Sequence, residues 1–176
     1  FALLFDVVGR GTDWLAHRNP GDAVRVVGPL GRGFEPRERV DHMLLVGGGI
    51  GCAPLIWLAD EFIAQGREVT LILGAASEAG IFPPRFLPEA VELVVATEDG
   101  SLGERGLATD PFERLLPWAD QVFTCGPNPM FEGLFGVLNR TSSPKPVQAL
   151  LEETMACGMG ICYGCAVFPR SGGVKL

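Results

Sequence analysis

The stretch "MLLVGGGIGCAPL" at residues 43–55 constrains the fold more than any other part of this chain. An apolar run, Met43 to Val46, leads straight into Gly47, Gly48, Gly49 and Gly51, with Pro54 close behind. A short apolar run bounded by glycines reads as a buried strand. Proline just after the turn suits the first turn of a helix, where its missing N–H has no intrahelical partner. The unit is therefore strand, tight turn, helix, and the helix is expected to last about fifteen residues and end near "AQGR". Comparable apolar runs recur as "EVTLILGA", "VELVVATEDG", "QVFTCGP" and, at 146–153, "PVQALLEE". Helix-like segments such as "NPMFEGLFGVLNR" lie between them. Short strands alternating with helices imply βαβ units, so the sequence predicts an α/β fold around a parallel sheet.

The region before this alternation reads differently. "FALLFDVV" and "AVRVVGPLGRGF" have strand character, and "GRGTDWLAH" between them reads as a turn and a short helix. Two strands cannot bury both faces alone. Residues 1–36 are therefore expected to be the C-terminal part of a β domain whose front is missing, with the polar "EPRERVDH" at its boundary. The α/β domain is expected over 37–145, and a Cys/Gly segment with no clear periodicity over 146–176. The chain opens on Phe1 inside an apolar run and is read as a fragment. Hydrophobic residues make up 47% of the 176, enough for a packed core. The net charge of −7 without a basic run argues against nucleic acid as a partner. No apolar run is long enough to span a bilayer, and no signal peptide is visible.

Several turns have the makings of a site. Glycines 47, 48, 49 and 51 would let a dinucleotide's pyrophosphate approach backbone N–H groups at a helix N-terminus. The G-x-G-x-x-G fingerprint is not met, because its third slot falls on Cys52, and a plain tight turn is the competing reading. Gly9, Gly11 and Thr12 form a weaker candidate, an anion-accepting or simply capped turn. Cys125, before Gly126 and Pro127, falls at the carboxyl end of an expected strand, the edge where ligands bind in open α/β sheets. It is the candidate catalytic residue, against the alternative of a buried thiol acting as a small hydrophobe. Glu98 and Asp99 follow another strand and line either a ligand or only solvent.

The segment "MACGMGICYGCAVF" places Cys157, Cys162 and Cys165 in a C-x4-C-x2-C pattern, the opening of the plant-type [2Fe–2S] spacing. Gly158, Gly160 and Gly164 permit a loop that curls around a cluster with N–H groups free to meet the sulfurs. Structural zinc usually takes paired cysteines or a Cys/His set, and only His17 and His42 are present, both far away in sequence. With no secretory signal, the thiols favour metal in a reducing, cytoplasmic setting over a disulfide framework. The fourth ligand is expected beyond Leu176.

With these residues in view, the chain resembles the ferredoxin–NADP reductase superfamily, and within it the iron–sulfur electron-transfer subunits of dihydroorotate dehydrogenase B. The resemblance is carried by "VVGRGTDWL", "GPLGRGF", "VGGGIGCAPL", "TEDGSLGERGLATD", "TCGPNPM" and "LEETMACGMGICYGCAV", in that order. It implies FAD between a β-barrel domain and the nucleotide domain, with Leu4, Phe5 and Asp6 beside the flavin and Gly11 and Thr12 at its pyrophosphate. Cys157, Cys162 and Cys165 would be cluster ligands, and Gly47, Gly48, Gly49, Gly51, Cys125, Gly126 and Pro127 would frame NAD. It further implies a heterotetramer with an FMN-containing dihydroorotate dehydrogenase catalytic subunit, whose electrons reach NAD⁺ through the cluster and FAD in pyrimidine biosynthesis. The loop "GAASEAG" has no Arg or Lys for a 2′-phosphate, and Glu78 would repel one, which favours NAD over NADP. Two other readings compete: the analogous subunit of a cytosolic hydrogenase or transhydrogenase, and a zinc-stapled binding module without redox function.

Overall fold

The structure is a computed structural model, and it describes residues 2–142 and 145–168. The chain divides into two compact units, one made of residues 1–4 and 35–152, the other of 5–34 and 153–176. The first unit is built on a parallel sheet of β1 (His42–Gly48), β2 (Glu68–Ala75), β3 (Glu92–Thr97), β4 (Glu104–Arg105), β5 (Gln121–Gly126) and β6 (Val147–Leu151). Their spatial order is β4-β3-β2-β1-β5-β6, and every neighbouring pair is parallel. "PVQALLEE" thus supplies the outer strand beside β5.

Helices cover both faces, as the near-continuous burial of β1, β2 and β5 requires. On one face Leu44, Val46, Ile72 and Val122 pack with Phe112 and Leu116 of the α3 region and Leu134 and Val137 of α4. These helices are α3 (Thr109–Leu115) and α4 (Asn128–Arg140). On the other lies α2 (Cys52–Ala64), whose Leu55, Leu58, Ala59 and Phe62 form one buried stripe at helical spacing. Phe62 stacks on Phe123 of β5 with ring centroids 5.2 Å apart. The helix stops at Gly66, whose φ of +78° suits glycine. There the N–H of Arg67 reaches Phe62 O at 3.0 Å and that of Gly66 reaches Ile63 O at 2.9 Å, closing the last turn. Among the described residues no helix is long and apolar enough to cross a membrane.

Residues 2–34 depart from expectation. The short helix is present as α1 (Arg10–Ala16), but residues 2–8 and 23–34 form no strand. A strand needs a hydrogen-bonded neighbour, and two isolated segments do not supply one. Leu3, Val7, Val8, Val26 and Val27 accordingly stay exposed. A β-barrel is therefore not seen among the described residues. Phe1, the 143–144 pair and 169–176, including the end of the expected 146–176 segment, lie outside the described residues.

At the amino edge of the sheet, Asp120 ties β5 to β1. Its Oδ2 accepts the N–H of Asp41 at 3.1 Å and of His42 at 3.0 Å, and lies 3.1 Å from the His42 ring Nδ1. These bonds, the His42 amide foremost, hold the carboxyl below its usual value. A depressed folded pKa contributes stability above the unfolded value near ~3.9, and that stability is lost as pH falls through the folded pKa. Asp120→Ala is expected to cost about 1 kcal/mol at neutral pH, kept modest because the side chain is 40% exposed. Urea titrations at neutral pH and near pH ~3 test this. The cost should shrink on acidification, and an equal cost at both would contradict the assignment.

Candidate functional site: a cleft at the sheet's switch point

The chain leaves β1 through α2 toward β2 on one side, and leaves β5 through α4 toward β6 on the other. The carboxyl ends of β1 and β5 are therefore the point where strand order reverses, where open α/β sheets form a ligand crevice. The two sequence motifs meet there. After β1, Gly49–Gly51 makes one tight turn and α2 begins at Cys52. After β5, Pro127 leads into α4, with Pro129 in its first turn. Gly51 must be glycine because a Cβ there would strike the Cys125 carbonyl and sit 2.7 Å from Gly126 N. Gly48 packs under α4: a Cβ there would lie 2.8 Å from Pro127 Cδ and 2.9 Å from Met130 Sδ.

Beyond this contact opens a cleft of about 440 Å³, in the range of small-ligand sites. Gly48, Gly49, Pro127 and Met130 line its inner end, Gly74, Ala75 and Ala76 of the β2 end one side, and the 106–109 turn another. Glu98 completes it. The loops after β2 and β3 are stitched together. Glu98 N–H donates to Ala75 O at 3.1 Å and Asp99 N–H to Ala76 O at 3.2 Å. The Ser101 hydroxyl donates to Asp99 at 2.6 Å and accepts the Glu78 N–H at 2.8 Å.

Of the sequence candidates, Gly48, Gly49, Pro127 and Glu98 line the cleft, while Gly47, Gly51 and Gly126 form the packing beneath it. Asp99 is spent on its own turn. Cys125 is 7% exposed and not among the lining residues. Side chains alternate along a strand, so it shares the α2 face with Phe123. Burial, with Glu152 and Cys52 adding to it, pushes its thiol up to about 11. At neutral pH it is a neutral thiol, unsuited to nucleophilic attack. Met130 and the 106–109 turn carried no chemical signature of their own in the sequence. They belong to the site because α3 and α4 pack there.

In the other unit, Thr12 Oγ1 accepts the N–H groups of Val8 at 3.0 Å and Gly9 at 3.1 Å, so it closes its own turn. A Cβ on Gly11 would meet nothing within 4 Å. Leu4 and Asp6 are exposed and Phe5 is half-buried. The cysteine loop folds its amides onto its sulfurs: Met159 N–H points at Cys157 Sγ and Gly164 N–H at Cys162 Sγ, each at 3.4 Å. The Cys162 and Met159 amides, the Cys162 thiol and the Ile161 amide draw Cys157 down to about 6. That value favours the thiolate, the form that ligates metal. Among the described residues, however, no three His, Cys, Asp or Glu side chains gather as a metal-holding group.

No family model matches the chain. Curated relatives do. The electron transfer subunit of dihydroorotate dehydrogenase B (NAD⁺) from Desulforamulus reducens is 40% identical over 169 residues, covering 94% of this chain and 64% of the relative. The subunit of the same name from Listeria innocua is 37% identical over 178 residues, covering 98% of this chain and 67% of the relative. The chain belongs to this family of electron transfer subunits. It spans about two thirds of these relatives, 64% of the first. A solved NADH-dependent reduced ferredoxin–NADP oxidoreductase, studied for flavin-based electron bifurcation, superposes with a TM-score of 0.82 at 33% identity. That match covers 97% of this chain and 62% of the other. The α/β fold is thus that of flavin- and nicotinamide-binding reductases, and the switch-point cleft of this family member falls within the matched region.

Proposed function

We propose that the chain is part of the electron-transfer subunit of an NAD-dependent dihydroorotate dehydrogenase, linking an FMN-containing catalytic subunit to NAD⁺. The observation that carries this is the switch-point cleft, assembled from the same ordered motifs over which the chain aligns with that family. FAD, when bound, supplies the exchange between single electrons and a hydride that neither an iron–sulfur cluster nor a nicotinamide can perform. This chain's residues have the task of placement. Gly48, Gly49 and the start of α2 present backbone amides to a pyrophosphate, and Pro127 and Met130 bound the cleft at β5. Bound in this way, a nicotinamide would be held in a fixed orientation by the two turns, which is the chain's contribution to hydride transfer. No side chain has to move a proton in that step.

The flavin is assigned to Leu4, Phe5, Asp6, Gly11 and Thr12 at the end of a barrel domain, and a [2Fe–2S] centre to Cys157, Cys162 and Cys165. The thiol chemistry fits the latter, since Cys157 already favours its ligating form. A cytoplasmic heterotetramer with the catalytic subunit completes the proposal. The visible spectrum of anaerobically purified full-length subunit tests both cofactors: flavin and cluster bands together support it, and a colourless zinc protein contradicts it.

Cys125, buried and outside the cleft lining, is assigned an indirect role at the nicotinamide site, as a packing support rather than a base or nucleophile. In full-length subunit, Cys125→Ala should slow flavin reduction by NADH severalfold while flavin and cluster absorption stay intact. An unchanged rate in stopped flow leaves the residue a buried apolar filler.

A further inference from the structure

The nucleotide assignment above leaves open how the cleft tells NAD from NADP, and the lining residues bear on this. In many dinucleotide folds the carboxylate that reads the ribose follows the second strand. Here β2 ends in Ala75 and Ala76, which have no polar side chain to offer. Glu78, three residues past β2, starts a separate short turn and does not line the cleft. Its backbone N–H is held by Ser101.

An acidic residue lines the cleft from the next strand instead. Glu98, directly after β3, is the one ionisable side chain among the described lining residues. Its backbone N–H is bound to Ala75 O, which fixes it against the very end of β2 where the usual carboxylate would be. The following Asp99 N–H on Ala76 O makes that junction two-point. Arg105, on the neighbouring β4, lays its stem along Gly100 and is not among the lining residues. Among the described residues, the lining of the cleft therefore has one anion and no cation.

We infer that Glu98, displaced one strand from the usual position, is the residue that selects a dinucleotide bearing a free ribose diol and rejects a 2′-phosphate. A carboxylate accepts hydrogen bonds from both ribose hydroxyls. Against a phosphate it offers only repulsion, undiminished by any cation in the lining.

The inference rests on the nucleotide reading, and calorimetry separates the two. Full-length, flavin-loaded subunit is titrated with ADP-ribose and with its 2′-phosphorylated form. The native protein should prefer ADP-ribose by more than about tenfold. Glu98→Gln should bring the two affinities within roughly threefold, and Glu98→Arg should reverse the preference. Glu78→Gln should leave the preference at its native value. Retained discrimination in both Glu98 variants, or its loss in Glu78→Gln, overturns the assignment of Glu98 while leaving the nucleotide site standing. A native protein that binds neither compound overturns the nucleotide reading itself and this inference with it.

Discussion

Gly51→Ala should be among the most damaging single-methyl changes in the α/β unit. The added carbon would meet backbone, the Cys125 carbonyl and Gly126 N, rather than a side chain able to swing away. Relief requires β5 to separate from the turn after β1, which opens the sheet at its switch point. Overpacking of this kind costs about 3 kcal/mol. For a chain of this size that lowers the melting temperature by roughly 6–12 °C. Because the same turn is proposed to present its amides to a pyrophosphate, ADP-ribose affinity should fall by about tenfold or more in full-length protein. Gly136→Ala, in α4 of the same unit, is the matched control. Its methyl would meet only Arg140 Nη1 at 3.5 Å, and removing glycine from a helix should leave stability unchanged or slightly raised. Thermal denaturation of both variants decides the matter, and equal melting temperatures would contradict the packing described.

Cys162→Ser should have the largest effect on electron flow. Serine keeps the size of the side chain but is not a thiolate at neutral pH, so one ligand is lost. The loop has little apolar surface to hold it shut: Met159, Ile161 and Tyr163 are all exposed. Ligation and local folding should therefore fail together. Full-length Cys162→Ser is expected to lose nearly all iron and labile sulfide, and the assembled enzyme to lose dihydroorotate-driven NADH formation. NADH should still bleach the flavin, because the cleft lies in the α/β unit and owes nothing to Cys162. Native iron and sulfide in the variant would remove Cys162 from the ligand set. Loss of flavin bleaching as well would point to general misfolding.

How far the sequence could be read followed how local each signal was. β2 was legible as "EVTLILGA" and α4 as "NPMFEGLFGVLNR" to the residue, because apolar runs and helical spacing end at glycine or proline. The Gly-rich turn announced a close approach, and Gly51 against Cys125 is that approach. Residues 2–8 and 23–34 looked like strands because Val and Leu dominate them, yet strand formation depends on a neighbour that local composition does not supply. Two-residue β4 and the 106–109 lining were illegible for the same reason. β4 exists only by pairing with β3, and the turn reaches the cleft only because α3 packs beside α4. Glu98 was visible as one of two acids in a turn. The structure separates the two: Glu98 lines the cleft, while the Asp99 carboxylate is taken up by Ser101.

The proposed link from a dihydroorotate-oxidising subunit to NAD⁺ is tested most directly by following NADH formation from dihydroorotate and NAD⁺, using the FMN-containing catalytic subunit with and without the full-length electron-transfer subunit. NADH should form only when both are present, and should cease when Cys162→Ser replaces the native subunit. NADH formation by the catalytic subunit alone, or none with both native subunits loaded with their cofactors, would contradict the account.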